Sequence, residues 1–108
     1  MKEALSVGKQ SIIHSVIFNL KHPKGSDEEI KFLADGRSIL SSIPVVRHFK
    51  VYRQSSPKND YAFGFSMEFA NADDYEAYNV HPLHRSFVAE RWETEVERFL
   101  EIDYEDID

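Results

Sequence analysis

The residues best suited to chemistry lie in one stretch of seven, Tyr78-Asn79-Val80-His81-Pro82-Leu83-His84. A histidine can take and return a proton near neutral pH, because its ordinary pKa is about 6.5. A tyrosine hydroxyl stays protonated there and can donate a hydrogen bond to a carbonyl or an enolate oxygen. In one unbroken helix Tyr78 and His84 would lie about 240° apart and could not act on the same group. Pro82 lifts that restriction. It disfavours helical geometry at His81 and is itself suited to the first turn of a new helix. The pair is then free to converge on one cleft as an acid–base pair. The local sequence equally allows a plainer outcome, in which His81 caps the second helix while Tyr78 and His84 only pack.

The other histidines divide by position. His14 shares a strand face with Ile12, Val16 and Phe18, so it points inward, where a hydrogen-bonded core role competes with ligand contact. His22 precedes Pro23 in a turn and is expected in solvent. His48 is expected on a strand face turned away from the helices, at an interface. His81 and His84 are three apart, and His14 could supply a third imidazole to a metal. Against that, the proline sets His81 outside the helix, and no neighbouring Asp or Glu completes a ligand motif. The chain has no cysteine and only four glycines, which excludes disulfides, thiolate sites and a cysteine nucleophile. Without a glycine-rich phosphate loop, GxSxG or HExxH pattern, neither a cofactor nor a metal is expected.

The elements that must position these residues follow from periodicity. Ile12, His14, Val16, Phe18 and Leu20 alternate with Ile13, Ser15, Ile17 and Asn19, which predicts a first strand. Ser26-Asp27-Glu28-Glu29 has the form of a capping box, in which Ser26 and Glu29 bond each other's amides. A helix with Ile30, Leu33, Ala34, Arg37 and Leu40 on one stripe should follow, and Gly36 marks a close approach to the sheet. Residues 45–54 read as a second strand, with Val45, Phe49 and Val51 on one face. Residues 61–69 read as a third, heavy on one face (Tyr61, Phe63, Phe65, Met67, Phe69) and light on the other (Ala62, Gly64, Ser66, Glu68). Small residues on a sheet face mean that something packs closely there, and a second sheet is the natural candidate. Asn71 caps a helix to about Val80, and the helix after Pro82 carries Leu83, Phe87, Val88 and Trp92. A last strand covers 97–104, with its outward residues Glu97, Glu101 and Asp103 expected to face solvent or a dimer seam. Strand, helix, strand, strand, helix, strand is the ferredoxin-like βαββαβ order, an α+β fold with a four-stranded antiparallel sheet. Two helices cover one face only, so a homodimer through the sheet faces is the physical expectation.

Composition sets the bounds. The chain has 108 residues and a net charge of −6, enough for one domain with its own core. Residues 90–108 hold nine acids against two bases, and the rest holds ten against eleven. That pattern suits a solvated face, or a recruiting surface for a basic partner, and argues against nucleic acid, which is met by a basic stripe. No apolar run approaches a bilayer span, and no secretory signal is visible, so the cytoplasm is the expected compartment with no membrane partner. Residues 1–10 are expected to be a frayed leader, 11–105 the domain and 106–108 an acidic tail.

His14-Ser15-Val16-Ile17-Phe18, Asp60-Tyr61-Ala62-Phe63, the Tyr78–His84 stretch and Ile102-Asp103-Tyr104 together resemble the stress-responsive A/B barrel (Dabb) family over residues 11–105. The resemblance implies a subunit that dimerises through its sheets into an α/β barrel with the helices outside. It further implies, by likeness to a plant polyketide cyclase of the family, that His84 is a general base and Tyr78 holds or polarises a carbonyl. His14 matches another pocket histidine, while Phe63 stands where the cyclase has a histidine, leaving that wall more apolar. The site expected on these grounds has His84 and Tyr78 as catalytic residues and His14, Phe63, Phe65, His81 and Phe87 as ligand contacts. Its chemistry would be proton transfer, of cyclase, isomerase or cofactor-independent monooxygenase type, on a small hydrophobic, aromatic or keto compound. The alternative is a stress-responsive or ligand-binding barrel without turnover.

Overall fold

The alternation at the start of the chain becomes strand β1 (Ile12–Leu20), whose residues are buried and less buried by turns. A computed structural model describes residues 10–107. Residues 1–9 of the expected leader, and Asp108 of the expected tail, lie outside them. Gln10 is tied down, donating from Nε2 to the carbonyl of Asp106 at 2.6 Å.

After β1 come helix α1 (Asp27–Leu40), strands β2 (Arg47–Arg53) and β3 (Phe63–Phe69), helix α2 (Ala72–Val80) and helix α3 (Pro82–Phe87). A π-helical turn (Val88–Trp92) and a last short turn α4 (Glu93–Glu95) lead into strand β4 (Val96–Tyr104). The sheet has the order β2-β3-β1-β4, and every neighbouring pair is antiparallel. This is the ferredoxin-like arrangement expected from the element order.

Local signals account for most of the boundaries. Ser26 Oγ accepts from the amide of Glu29 at 3.2 Å, as a helix cap should. Glu29 does not reach back to Ser26, whose amide already bonds the Pro23 carbonyl at 3.1 Å. Its carboxylate accepts from Gly25 instead, at 2.9 Å. The buried stripe of α1 also differs from the expected one. It runs through Glu29, Phe32, Gly36 and Leu40, while Ile30 is 59 % exposed and Ala34 is exposed too. The helix is turned so that Phe32 and the bare backbone of Gly36 meet the sheet. A Cβ at Gly36 would sit 2.7 Å from Cζ of Phe65, so the close approach read from that glycine is present.

The core lies between this helical layer and the sheet. Phe18, Phe32, Phe65 and Phe69 are almost wholly buried, each contributing about 1.5–3 kcal/mol. Phe18 packs edge-on against Phe65 with centroids 4.8 Å apart and against Trp92 at 5.0 Å. The opposite face of the sheet is uncovered. Ile13, Tyr52, Leu100 and Tyr104 are 37–53 % exposed, and a shallow concavity among Ser15, Ile17, Tyr52, Gly64 and Ser66 sits at its centre.

Strand β4 departs from expectation in the face its acids take. Glu97, Glu101 and Asp103 were expected to point outward to solvent or a dimer seam. Asp103 pairs across with His14 and Glu101 with Val16, and paired residues share a face. Glu101 and Asp103 therefore stand on the inner, helix-side face, Glu97 falls where the register with β1 shifts and borders a separate hollow with Leu20 and Phe63, and Leu100, Ile102 and Tyr104 take the outer face.

The expected exposure of His22 is also corrected. It is half-buried, and its Nε2 donates to Glu95 at 2.7 Å. Arg91 bonds both Glu95 and Asp35, so one ionic network ties α1, the end of the helical run and the turn after β1. Burial pushes Glu95 up, but hydrogen bonds from Arg91 and His22 outweigh it and hold the carboxyl below its ordinary range.

Candidate active site

The break at Pro82 decides the geometry. His81 is extended, with φ −65° and ψ 137°, and Pro82 opens α3. The chain therefore turns between Tyr78 and His84, and their rings come to lie 4.3 Å apart, tilted by 41°. Both face a cavity of about 240 Å³ between sheet and helices. Its sheet wall is His14, Val16, Phe65, Met67, Phe99 and Glu101, and its helical wall is Leu40, Tyr78, His84, Phe87, Val88 and Trp92. The π-helical turn, closed by the Glu93 amide on the Val88 carbonyl, brings Val88 and Trp92 to the same wall.

His84 Nδ1 lies 3.1 Å from the carbonyl oxygen of Asn79. A carbonyl only accepts, so Nδ1 carries the proton and Nε2 keeps its lone pair. Burial lowers the pKa of His84 below its ordinary 6.5, against the smaller opposing pull of the Asn79 carbonyl. The ring is thus neutral at pH 7 and able to accept a proton. Tyr78 is buried, yet its hydroxyl has no hydrogen-bond partner among the described residues, and no enclosed polar side-chain atom is left unpaired there. The hydroxyl therefore opens onto the cavity. Burial raises its pKa well above the ordinary tyrosine value, and the nearby Tyr75 and Glu101 add to that. It remains a donor.

His14 lies beyond Tyr78, with ring centroids 6.2 Å apart. Its Nδ1 donates to Asp103 at 2.6 Å. Tyr75 completes a triangle, donating to the second oxygen of Asp103 at 2.8 Å with its own oxygen 3.0 Å from His14 Nδ1. Burial, then the Asp103 carboxylate, drive the Tyr75 hydroxyl far above its ordinary pKa. The His14 ring is thereby fixed in orientation with Nδ1 engaged. Among the described residues no three His, Asp or Glu side chains are grouped closely enough to hold a metal ion.

Residues 12–106 match the sequence profile of the Stress responsive A/B Barrel Domain, Dabb. The chain belongs to this family. It is similar to a Dabb family protein with a ferredoxin-like fold from Mesorhizobium loti, at 55 % identity, with 92 % of this chain and 99 % of that one covered and a TM-score of 0.91. A stress-response A/B barrel domain-containing protein of Arabidopsis thaliana is 32 % identical over 81 residues, 70 % of this chain and 69 % of the plant protein. The hydroxynitrile lyase of Passiflora edulis shares the fold at 17 % identity, with 93 % and 96 % of the two chains covered and a TM-score of 0.77.

In this A/B barrel domain the cavity brings together five of the seven residues singled out from the sequence: Tyr78, His84, His14, Phe65 and Phe87. Two fall elsewhere. Phe63 is on the correct face of β3 but two residues beyond Phe65, and it lines a separate polar hollow with His22, Arg53 and Asp60. His81 turns its Nδ1 back to accept from the Leu83 amide at 3.1 Å, the capping role that the sequence left open. Leu83, expected to pack with Phe87, Val88 and Trp92, sits in the exposed first turn of α3 and is 41 % exposed. Sequence reasoning did not single out Tyr75, Glu101, Trp92 or Phe99. The signal for Tyr75 was its place one turn before Tyr78, on the same helix face. The signal for Glu101 was its alternation with Asp103, readable only once the inner face of β4 is known.

Proposed function

We propose that this A/B barrel domain binds a small, mainly apolar carbonyl compound in the cavity and transfers a proton to and from it, with His84 as base and Tyr78 as donor. The observation that carries this reading is the convergence of a neutral imidazole and a free tyrosine hydroxyl, 4.3 Å apart between centroids, on one largely apolar cavity. The Tyr78 hydroxyl donates to the substrate carbonyl. His84 Nε2 takes the proton from the adjacent carbon, the C–H electrons move into the C–C bond, and the enolate oxygen stays hydrogen-bonded to Tyr78. Return of the proton to a different carbon gives an isomer, and attack of the enolate carbon on a second carbonyl closes a ring. His14, held by Asp103 and Tyr75, orients the far end of the substrate, and Phe65 and Phe87 hold its apolar body. The fold houses an enzyme in at least one neighbour, named as a hydroxynitrile lyase.

The working unit is a homodimer on this reading. An open four-stranded sheet is half of a barrel, and its outer face presents Ile13, Leu100 and Tyr104 to solvent around the small residues Gly64 and Ser66. A second copy of the same face buries them.

The test is a thermal-shift screen of aryl ketones and β-keto compounds on the wild type and on His84→Ala. A neutral aryl ketone should raise the wild-type Tm, since saturation at about 100 times Kd adds about 2.7 kcal/mol. His84→Ala should still bind it. If no member of the series shifts the wild type, the cavity is not a carbonyl site.

A further inference from the structure

We propose that Glu101 sets the charge selectivity of the cavity, admitting aromatic compounds whose polar head is neutral or a protonated amine and rejecting those that end in a carboxylate. The inference rests on the cavity being a ligand site, as argued above, and names the class of ligand it takes.

The topology places Glu101 at an open side. Strand β4 is an edge of the sheet, and Glu101 sits on its inner face opposite Val16. It is exposed to solvent yet lines the cavity together with Tyr78, His14 and His84. Two residues on, Asp103 is already committed to His14 and Tyr75. Glu101 makes no hydrogen bond or ion pair with any described residue, whereas Glu95, at the end of the helical run, is held by Arg91 and His22. Among the described residues, neither lysine nor arginine lines the cavity.

The remaining walls are mainly apolar, so a ligand that enters buries its body there and brings its polar head to the exposed rim, where Glu101 acts on it through a charge interaction that water and salt partly screen. A carboxylate there loses part of its hydration and faces a like charge. An ammonium gains an ion pair, and a neutral carbonyl is bound by Tyr78 without penalty. The same carboxylate acts on the proposed catalytic pair, opposing ionisation of Tyr78 and favouring the protonated form of His84.

Three probes of nearly equal shape separate the cases: hydrocinnamide, phenylpropylamine and hydrocinnamate, titrated calorimetrically at neutral pH and low salt. The wild type should bind the amide and the amine, and the acid about tenfold or more weakly. Glu101→Gln should bring the acid to within about twofold of the amide, Glu101→Lys should reverse the order of amine and acid, and salt should shrink the wild-type difference. If the amide binds but the acid binds as tightly, or if the order survives both substitutions, the role assigned to Glu101 is wrong while the cavity stands. Binding of none of the three overturns the ligand site itself, and this proposal with it.

Discussion

At the scale of single residues, His84 and Tyr78 are set up by opposite uses of burial. Burial lowers the pKa of His84 and raises that of Tyr78, so each is held in the neutral state that the proposed proton transfer needs. The pH dependence follows from the sign. The folded protein binds a proton at His84 less readily than the unfolded chain does, so this residue's contribution to stability is complete above the ordinary value of 6.5. It is lost as the pH falls through the lower folded value. The urea midpoint of the wild type should therefore drop more steeply than that of His84→Gln on acidification below that ordinary value, and parallel curves would count against the assignment. His84→Ala itself should cost about 1 kcal/mol or less at pH 7, because its protein contacts are one bond to Asn79 and the face of Tyr78. Tyr75→Phe removes the hydroxyl that braces the direct His14–Asp103 bond, and should lower stability by about 0.5–1.5 kcal/mol in urea titration. The Tyr78–His84 pair was legible in the sequence because a proline between them marks the helix break. Tyr75 was not, since its significance depends on Asp103 lying opposite His14 across β1 and β4.

At the scale of elements, the sequence carried the strands and helices well and their faces less well. Alternation in β1 and the aromatic face of β3 from Phe63 to Phe69 survive in the structure, with Tyr61 left outside the strand, because those strands lie at the centre of the sheet, where a slip by one residue would expose the whole core. Strand β4 is an edge, both of its faces carry polar and apolar residues, and periodicity alone gave no reason to prefer one. Helix α1 was misread by about one residue for a related cause: Gly36 contributes no apolar side chain, yet it is the point of closest approach to Phe65. That contact makes a prediction. Gly36→Ala should gain about 1 kcal/mol in helix propensity but drive a methyl into Phe65, which Phe18, Phe32 and Phe49 hold in place. Overpacking of this kind costs about 1–3 kcal/mol, so the urea midpoint should fall. A rise would mean that Phe65 moves freely, and with it one wall of the cavity.

At the scale of the whole molecule, the two faces of the sheet have separate tasks. The inner face builds the cavity, and the outer face, with Ile13, Leu100 and Tyr104 exposed, is the one proposed to meet a second copy. A Cβ on Gly64 would make only ordinary contacts within the chain, 3.6 Å from Ile17 and from the Val16 carbonyl, so Gly64→Leu should fold. It should also weaken the proposed dimer, seen as a shift toward monomer in sedimentation velocity, and an unchanged dimer would place the interface elsewhere. Part of the acidic charge of residues 90–108 serves these tasks: Glu95 braces the helices through Arg91 and His22, Asp103 orients His14 and Glu101 borders the cavity, while Glu90, Glu93, Glu97, Glu105 and Asp106 are exposed, as a solvated run should be. The proposed function requires that the cavity move protons. The most direct measurement is the incorporation of deuterium from heavy water at the carbon next to the carbonyl of benzylacetone, followed by NMR. The wild type should exchange that position well above the buffer rate, and His84→Ala should bind the ketone but exchange it about 100-fold more slowly or worse. Exchange by the wild type at no more than the buffer rate, with the ketone bound, would contradict it.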